Sequence, residues 1–146
     1  MALSLKQYVE RRNGVPLGAS GSLTNMLKNA LGAKNFSQFW LYWNPIWGYY
    51  LATKIQKPLT RFLPHWFALI ATFTASGLLH DVAVMLLKQK LFIVCTPWFS
   101  LMGIAAVLSK NKVLNLSRFP WIVKAGANCS IIIVCFICSR YLSEFV

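Results

Sequence analysis

The chain has 146 residues, 57% of them hydrophobic and 14% aromatic, and three carboxylates oppose fifteen lysines and arginines for a net charge of +12. Charged residues make up 12%, about half of the roughly 25% usual in soluble globular domains, so the composition is not that of a soluble domain. The positive charge leaves nucleic acid or anionic lipid headgroups as partners, and nucleic acid is set aside because the chain carries no RNP-like segment, zinc-finger spacing or basic helix leading into heptads.

Basic residues flank the long apolar runs, at Arg61 before one, at Lys88 and Lys90 between two, and at Lys110, Lys112 and Arg118 before the last. That layout predicts an all-α integral membrane protein with about three transmembrane helices, an interfacial aromatic helix and a short amphipathic helix near the N-terminus.

Residues 1–34 read as a basic N-terminal segment, with Lys6, Arg11, Arg12, Lys28 and Lys34 around the loop GVPLGASGS. Leu23, Met26, Leu27, Ala30 and Leu31 fall on one side of a short helix that is expected to lie at the cytoplasmic surface, its lysines against anionic lipid. No cleavable signal peptide is expected, because this stretch is polar and lacks an apolar core.

Residues 35–146 read as the membrane domain. It opens on an aromatic block from Phe36 to Leu51 in which Trp40, Trp43 and Trp47 recur at helical spacing, a pattern that also suits a plain interfacial anchor. Pro45 drives the residue before it out of helical geometry, so Asn44 is expected to end a helix with its amide free to meet a partner.

Lys54, Lys57, Arg61, Pro58 and Pro64 form a charged connector into a span over residues 64–87. A second span of minimal length is expected over 91–108, kinked by Pro97, and a third over 120–138, with Lys124 snorkelling to the interface. The excess of Lys and Arg in the N-terminal region and in the loop from Lys110 to Arg118 puts the N-terminus in the cytoplasm and the C-terminus outside.

Cys95, Cys129, Cys135 and Cys138 all lie in apolar runs and behave as small hydrophobes. The Cys135–Cys138 spacing lacks the second pair or histidine a metal site needs, and no metal is expected.

The polar residues of the first span are the candidates for chemistry. Ser76 and His80 are four residues apart and share a face, and Gly77 thins the wall beside them. Ionisable groups in an apolar helix mark water or a polar partner. A histidine bonded to a neighbouring helix and holding a bundle together fits this as well as a catalytic one. Asp81 points about 100° away from His80 and is free to pair with Lys88 or Lys90 at the outer interface. A neutral His80 would act as general base on a substrate hydroxyl attacking an acyl carbonyl, and an amide such as that of Asn44 would serve the developing oxyanion.

The block from Phe36 to Asn44 (FSQFWLYWN), followed after a basic connector by SGLLHD from Ser76 to Asp81, resembles the catalytic portion of the membrane-bound O-acyltransferase family, in its sterol, diacylglycerol and wax-ester branch. The resemblance covers about half of the chain. It implies transfer of an acyl group from a thioester, acyl-CoA above all, to a hydroxyl-bearing acceptor, without a bound cofactor. His80 matches the catalytic histidine and Asn44 the motif asparagine, with Phe39, Trp40, Trp43 and Ser76 on the substrate side. Members are usually several-fold longer, so the chain is expected to be a minimal version, a homo-oligomer, a subunit that borrows walls from a larger membrane partner, or a remnant without activity. The alternative is a degenerate, non-catalytic relative acting as a subunit or assembly factor.

Overall fold

A computed structural model describes residues 3–110 and 115–144. Met1 of the N-terminal segment, Lys112 of the basic loop and the last two residues of the membrane domain lie outside the described residues. Among the described residues the chain is helical, with no strand.

The N-terminal segment forms two helices, α1 (Leu5–Asn13) and α2 (Ser22–Leu31). Ser4 starts α1 with a capping box, its hydroxyl accepting from Gln7 N–H while the Gln7 side chain accepts from Ser4 N–H at 3.0 Å. Gly14, at φ 76°, ends it, because only glycine enters the left-handed region without cost. The Asn13 amide donates to the Ser22 hydroxyl and carbonyl, at 2.6 and 3.0 Å, and so ties α1 to the start of α2. The apolar stripe expected on α2 is largely turned inward: Ala30 is buried and Met26, Leu27 and Leu31 are half-buried, whereas Leu23 stays exposed.

The aromatic block makes two short helices, α3 (Phe36–Tyr42) and α4 (Pro45–Leu51). Asn35 caps the first, accepting from Gln38 N–H at 2.8 Å, and Asn44 ends the pair's shared course in the left-handed region at φ 40°. The break expected before Pro45 is therefore present. The connector is more ordered than its prolines predict. A π-helical turn over Ala52–Gln56 leads into the single turn α5 (Lys57–Leu59), and Pro58, which has no N–H for the carbonyl one turn back, accompanies that wider winding.

Three apolar helices complete the chain: α6 (His65–Lys88), α7 (Cys95–Leu108) and α8 (Trp121–Glu144). Two of them, α6 and the stretch Trp121–Leu142 of α8, are long and apolar enough to cross a membrane. Over the second span expected at 91–108 the described helix is shorter than a full crossing. It starts at Cys95 and has 14 residues, a rise of about 21 Å against a hydrocarbon core of about 30 Å. Pro97 falls in its first turn, where no intrahelical donor is lost, so the kink expected there has no cause.

α6 and α7 pack antiparallel, with Thr74 and Ser100 hydroxyls 2.8 Å apart and Gly77 and Gly103 at the closest approaches. The core gathers Ala30, Ala33, Phe36, Phe39, Met102, Ala106 and Cys135, so the end of α2 shares it with the aromatic block. Two polar ties fix the layers. Ser37 N–H donates to the Ser109 hydroxyl at 2.8 Å, and the fully buried Asn128 of α8 donates to the carbonyls of Ala33 and Leu31, at 3.1 and 3.4 Å. Asn128→Leu strands those carbonyls at the end of α2 but also removes the amide's own unpartnered oxygen. A net loss of about 1–2 kcal/mol is therefore expected in a thermal melt, with faster tryptic cleavage at Lys28 and Lys34.

Candidate functional site

The two sequence elements singled out, Trp-Asn-Pro and Ser-Gly-Leu-Leu-His, meet through a residue that belongs to neither. Trp47, in the first turn of α4, donates its indole N–H to the Ser76 hydroxyl at 3.0 Å and sets its ring edge-on to His80, centroids 6.2 Å apart. Ser76 is 3% exposed, so that hydroxyl is a buried anchor for the indole. Trp47 recurs at the same helical spacing as Trp40 and Trp43; nothing in the sequence separated its role from theirs.

His80 packs against two aromatic rings. Phe99 of α7 is the second, centroids 5.0 Å apart and tilted by 34°. Nδ1 is 2.7 Å from the Ser76 backbone carbonyl one turn back, and since a carbonyl only accepts, Nδ1 carries a hydrogen. In the neutral ring Nε2 then holds the lone pair. His80 is nonetheless exposed on the described chain. Two surface clefts, one of about 400 Å³ between Val82 and Leu91 and one of about 330 Å³ beside Trp121, are lined by neither His80 nor Asn44.

Asn44 is exposed, and its side-chain oxygen accepts from Trp47 N–H at 3.2 Å as the cap of α4. Its backbone N–H points to the Met26 sulfur at 3.3 Å. No hydrogen bond joins Asn44 to His80 among the described residues; the path between them runs through Trp47. The oxygen is thus committed to the cap, and the amide NH2 has no hydrogen-bond partner there.

The remaining predicted residues sort by depth. Phe39 is buried, stacked on Phe36 and Trp43 with centroids 5.9 and 5.5 Å away. Trp40 is half-buried, edge-on to Phe73 at 5.3 Å, and its indole N–H is buried without a partner. Trp43 is 36% exposed. Phe39 and Trp40 therefore join the aromatic block to α6 and α7, while Trp43 alone of the three presents a broad free surface.

Asp81 corrects an expectation. It does not pair with Lys88 or Lys90 but is fully buried against the start of α7. Oδ1 accepts from the N–H groups of Val94 and Cys95, at 3.1 and 2.8 Å, and Oδ2 from the N–H and hydroxyl of Thr96, at 2.8 and 2.7 Å. The first N–H groups of a helix have no partner of their own and carry the positive end of its dipole, so a carboxylate there gains more than it would from an exposed lysine. Because α7 carries Phe99 one turn later, this cap also sets the ring against His80.

Compared with family models, with curated proteins and with solved structures, the chain matches none.

Proposed function

We propose that the chain is a membrane-bound O-acyltransferase of the kind its two motifs resemble, with His80 as general base. The observation that carries this is the histidine's hydrogen bonding. Nδ1 is spent on the Ser76 carbonyl, Trp47 and Phe99 pack against the ring, and Nε2 is left as a free acceptor. A general base needs that arrangement, a fixed tautomer with its lone pair on the open side.

In the proposed step Nε2 takes the proton of an acceptor hydroxyl as that oxygen attacks the carbonyl of an acyl thioester, acyl-CoA by chemical class. The tetrahedral oxyanion is served by a donor such as the uncommitted NH2 of Asn44. Its collapse restores the carbonyl, now of the ester, breaks the carbon–sulfur bond and expels the thiolate, which recovers the proton from His80.

We place α6 and α8 across a bilayer, by their length and composition. The contacts Leu116–Lys34, Trp121–Lys28 and Ser37–Ser109 draw the N-terminal helices, the end of α7 and the start of α8 to one end of the bundle. The antiparallel course of α6 brings Arg61 and His65 there too. Most of the basic residues thus gather on one side, the cytoplasmic one by the positive-inside rule. The Asp81 cap lies about two turns before the end of α6, which lets α7 begin at membrane depth with its first N–H groups satisfied.

The openness of His80 favours a second reading beside this one. The working unit requires further walls, from another copy or a larger membrane partner, and the isolated chain would then be a subunit or assembly factor. Acyl transfer from radiolabelled acyl-CoA to lipid alcohols, by purified wild type and His80→Ala, separates the two. Loss of about 10²- to 10⁴-fold in the variant is expected, the usual contribution of a positioned base. Equal turnover removes His80 from the mechanism, and a folded, donor-binding wild type without turnover leaves the subunit reading.

A further inference from the structure

The cleft of about 330 Å³ beside Trp121 lies far along the chain from the His80 motif, and its chemistry differs. It is at the low end of the roughly 300–1,000 Å³ typical of small-ligand sites. Lys28 and Lys34 line it, with Gln38 and Tyr42 of α3 and with Trp121. The ring sits tightly. A Cβ on Gly32 would come within 2.6 Å of its Cδ1, and its N–H donates to the Lys28 carbonyl at 3.0 Å.

Charge decides what this cleft takes. The carbonyls at the end of α2 would ordinarily repel an anion. Here the Lys28 carbonyl accepts from Gly32 and Trp121, those of Leu31 and Ala33 from Asn128, and that of Lys34 from Leu116 N–H at 2.8 Å. Among the described residues no carboxylate forms an ion pair with Lys28 or Lys34, and Asp81 is committed to α7. Two lysines, a glutamine and a tyrosine therefore line an open cleft that has no carboxylate among its described lining residues.

Depth decides the source of that anion. Trp121 is the first residue of the stretch Trp121–Leu142, and an indole at the mouth of a span lies at the level of lipid phosphates. The geometry points to a binding site for the phosphate of an anionic phospholipid headgroup, held by Lys28 and Lys34 with the glycerol against Trp121. The inference rests on α8 as a span and not on acyl transfer.

Titration of the full chain in non-ionic detergent with short-chain phosphatidic acid, short-chain phosphatidylcholine and inorganic phosphate tests it. Saturable binding of phosphatidic acid is expected, with Lys28→Ala/Lys34→Ala weakening it roughly thirtyfold, as two lysine–headgroup contacts imply. Lys54→Ala/Lys57→Ala removes the same charge elsewhere and should change the affinity less than about twofold. Equal losses in the two double variants would mean diffuse attraction and overturn the site. Phosphatidylcholine binding as tightly as phosphatidic acid, or inorganic phosphate binding as tightly as the lipid, would overturn the assignment to an anionic lipid. Alkaline extraction of membranes tests the span by itself: release of the chain overturns the lipid assignment at that step, whereas a retained chain with unchanged affinity in the Lys28/Lys34 variant overturns the cleft.

Discussion

Asp81→Ala is expected to destabilise the folded chain by on the order of 3–5 kcal/mol, because three half-buried backbone N–H groups at the start of α7 lose their acceptor at once. The Thr96 hydroxyl can turn to its own helix, but the N–H groups cannot. Against a total stability of about 5–15 kcal/mol for an ordinary domain, such a loss frees the α6–α7 pair from its register. Asp81→Asn separates charge from shape. Its oxygen can still accept from Val94 and Cys95, but its NH2 meets the N–H of Thr96, donor against donor, so a smaller loss of about 1–3 kcal/mol is expected. Lys88→Ala, which would matter if the carboxylate were ion-paired, is expected to change stability by less than about 0.5 kcal/mol. Thermal melts in detergent read all three. A local readout is maleimide labelling of Cys95, half-buried in the native chain, with the labelled peptide identified by mass spectrometry. An Asp81→Ala melt within about 0.5 kcal/mol of wild type would show that the cap does not hold α7.

The same contact marks where the sequence stopped being legible. The helical class, the break at Asn44-Pro45 and the long apolar helices α6 and α8 come from local rules: what proline does to the residue before it, and how long a hydrophobic run extends. The start of α7 does not. Leu91 to Val94 is as apolar as the helix beyond it, so hydropathy continues through it, and the helix begins at Cys95 only where Asp81, fourteen residues earlier, meets the first N–H groups. A charge inside an apolar run implies a partner, and Lys88 and Lys90 are the nearest opposite charges in the sequence. Its partners are backbone amides, which look alike in every residue but proline. Trp47 escaped for a related reason. One tryptophan among several at helical spacing differs from its neighbours only in what lies opposite, and Ser76 lies opposite this one. The openness of His80 could not be read either, since exposure depends on how many walls the rest of the fold supplies.

Gly77 permits a second test of the α6–α7 contact, by crowding it rather than emptying it. A Cβ at this position would stand 2.6 Å from the Cys95 carbonyl oxygen, 2.8 Å from the Thr96 Cα and 2.9 Å from the Cys95 carbonyl carbon. All three are backbone atoms and cannot swing aside as a side-chain tip would, so the first turn of α7 must retreat. That turn carries the donors to Asp81, one helical turn along α6 from Gly77. Overpacking of this kind costs about 1–3 kcal/mol, and stretching the carboxylate's hydrogen bonds adds about 1 kcal/mol or more. The gain in helix propensity from Gly to Ala, about 1 kcal/mol, does not offset the sum. Gly77→Ala is therefore expected to lower stability by about 1–3 kcal/mol. The same substitution at Gly126 of α8, where a Cβ meets nothing within 4 Å, should raise it by up to about 1 kcal/mol. Opposite signs for one chemical change isolate the contact from the propensity. Combining Gly77→Ala with Asp81→Ala should cost less than the two losses added, since a turn already displaced by the methyl has fewer bonds to lose. Strict additivity would mean that the glycine and the carboxylate hold separate parts of the structure, and a neutral Gly77→Ala would mean that α7 does not approach α6 this closely.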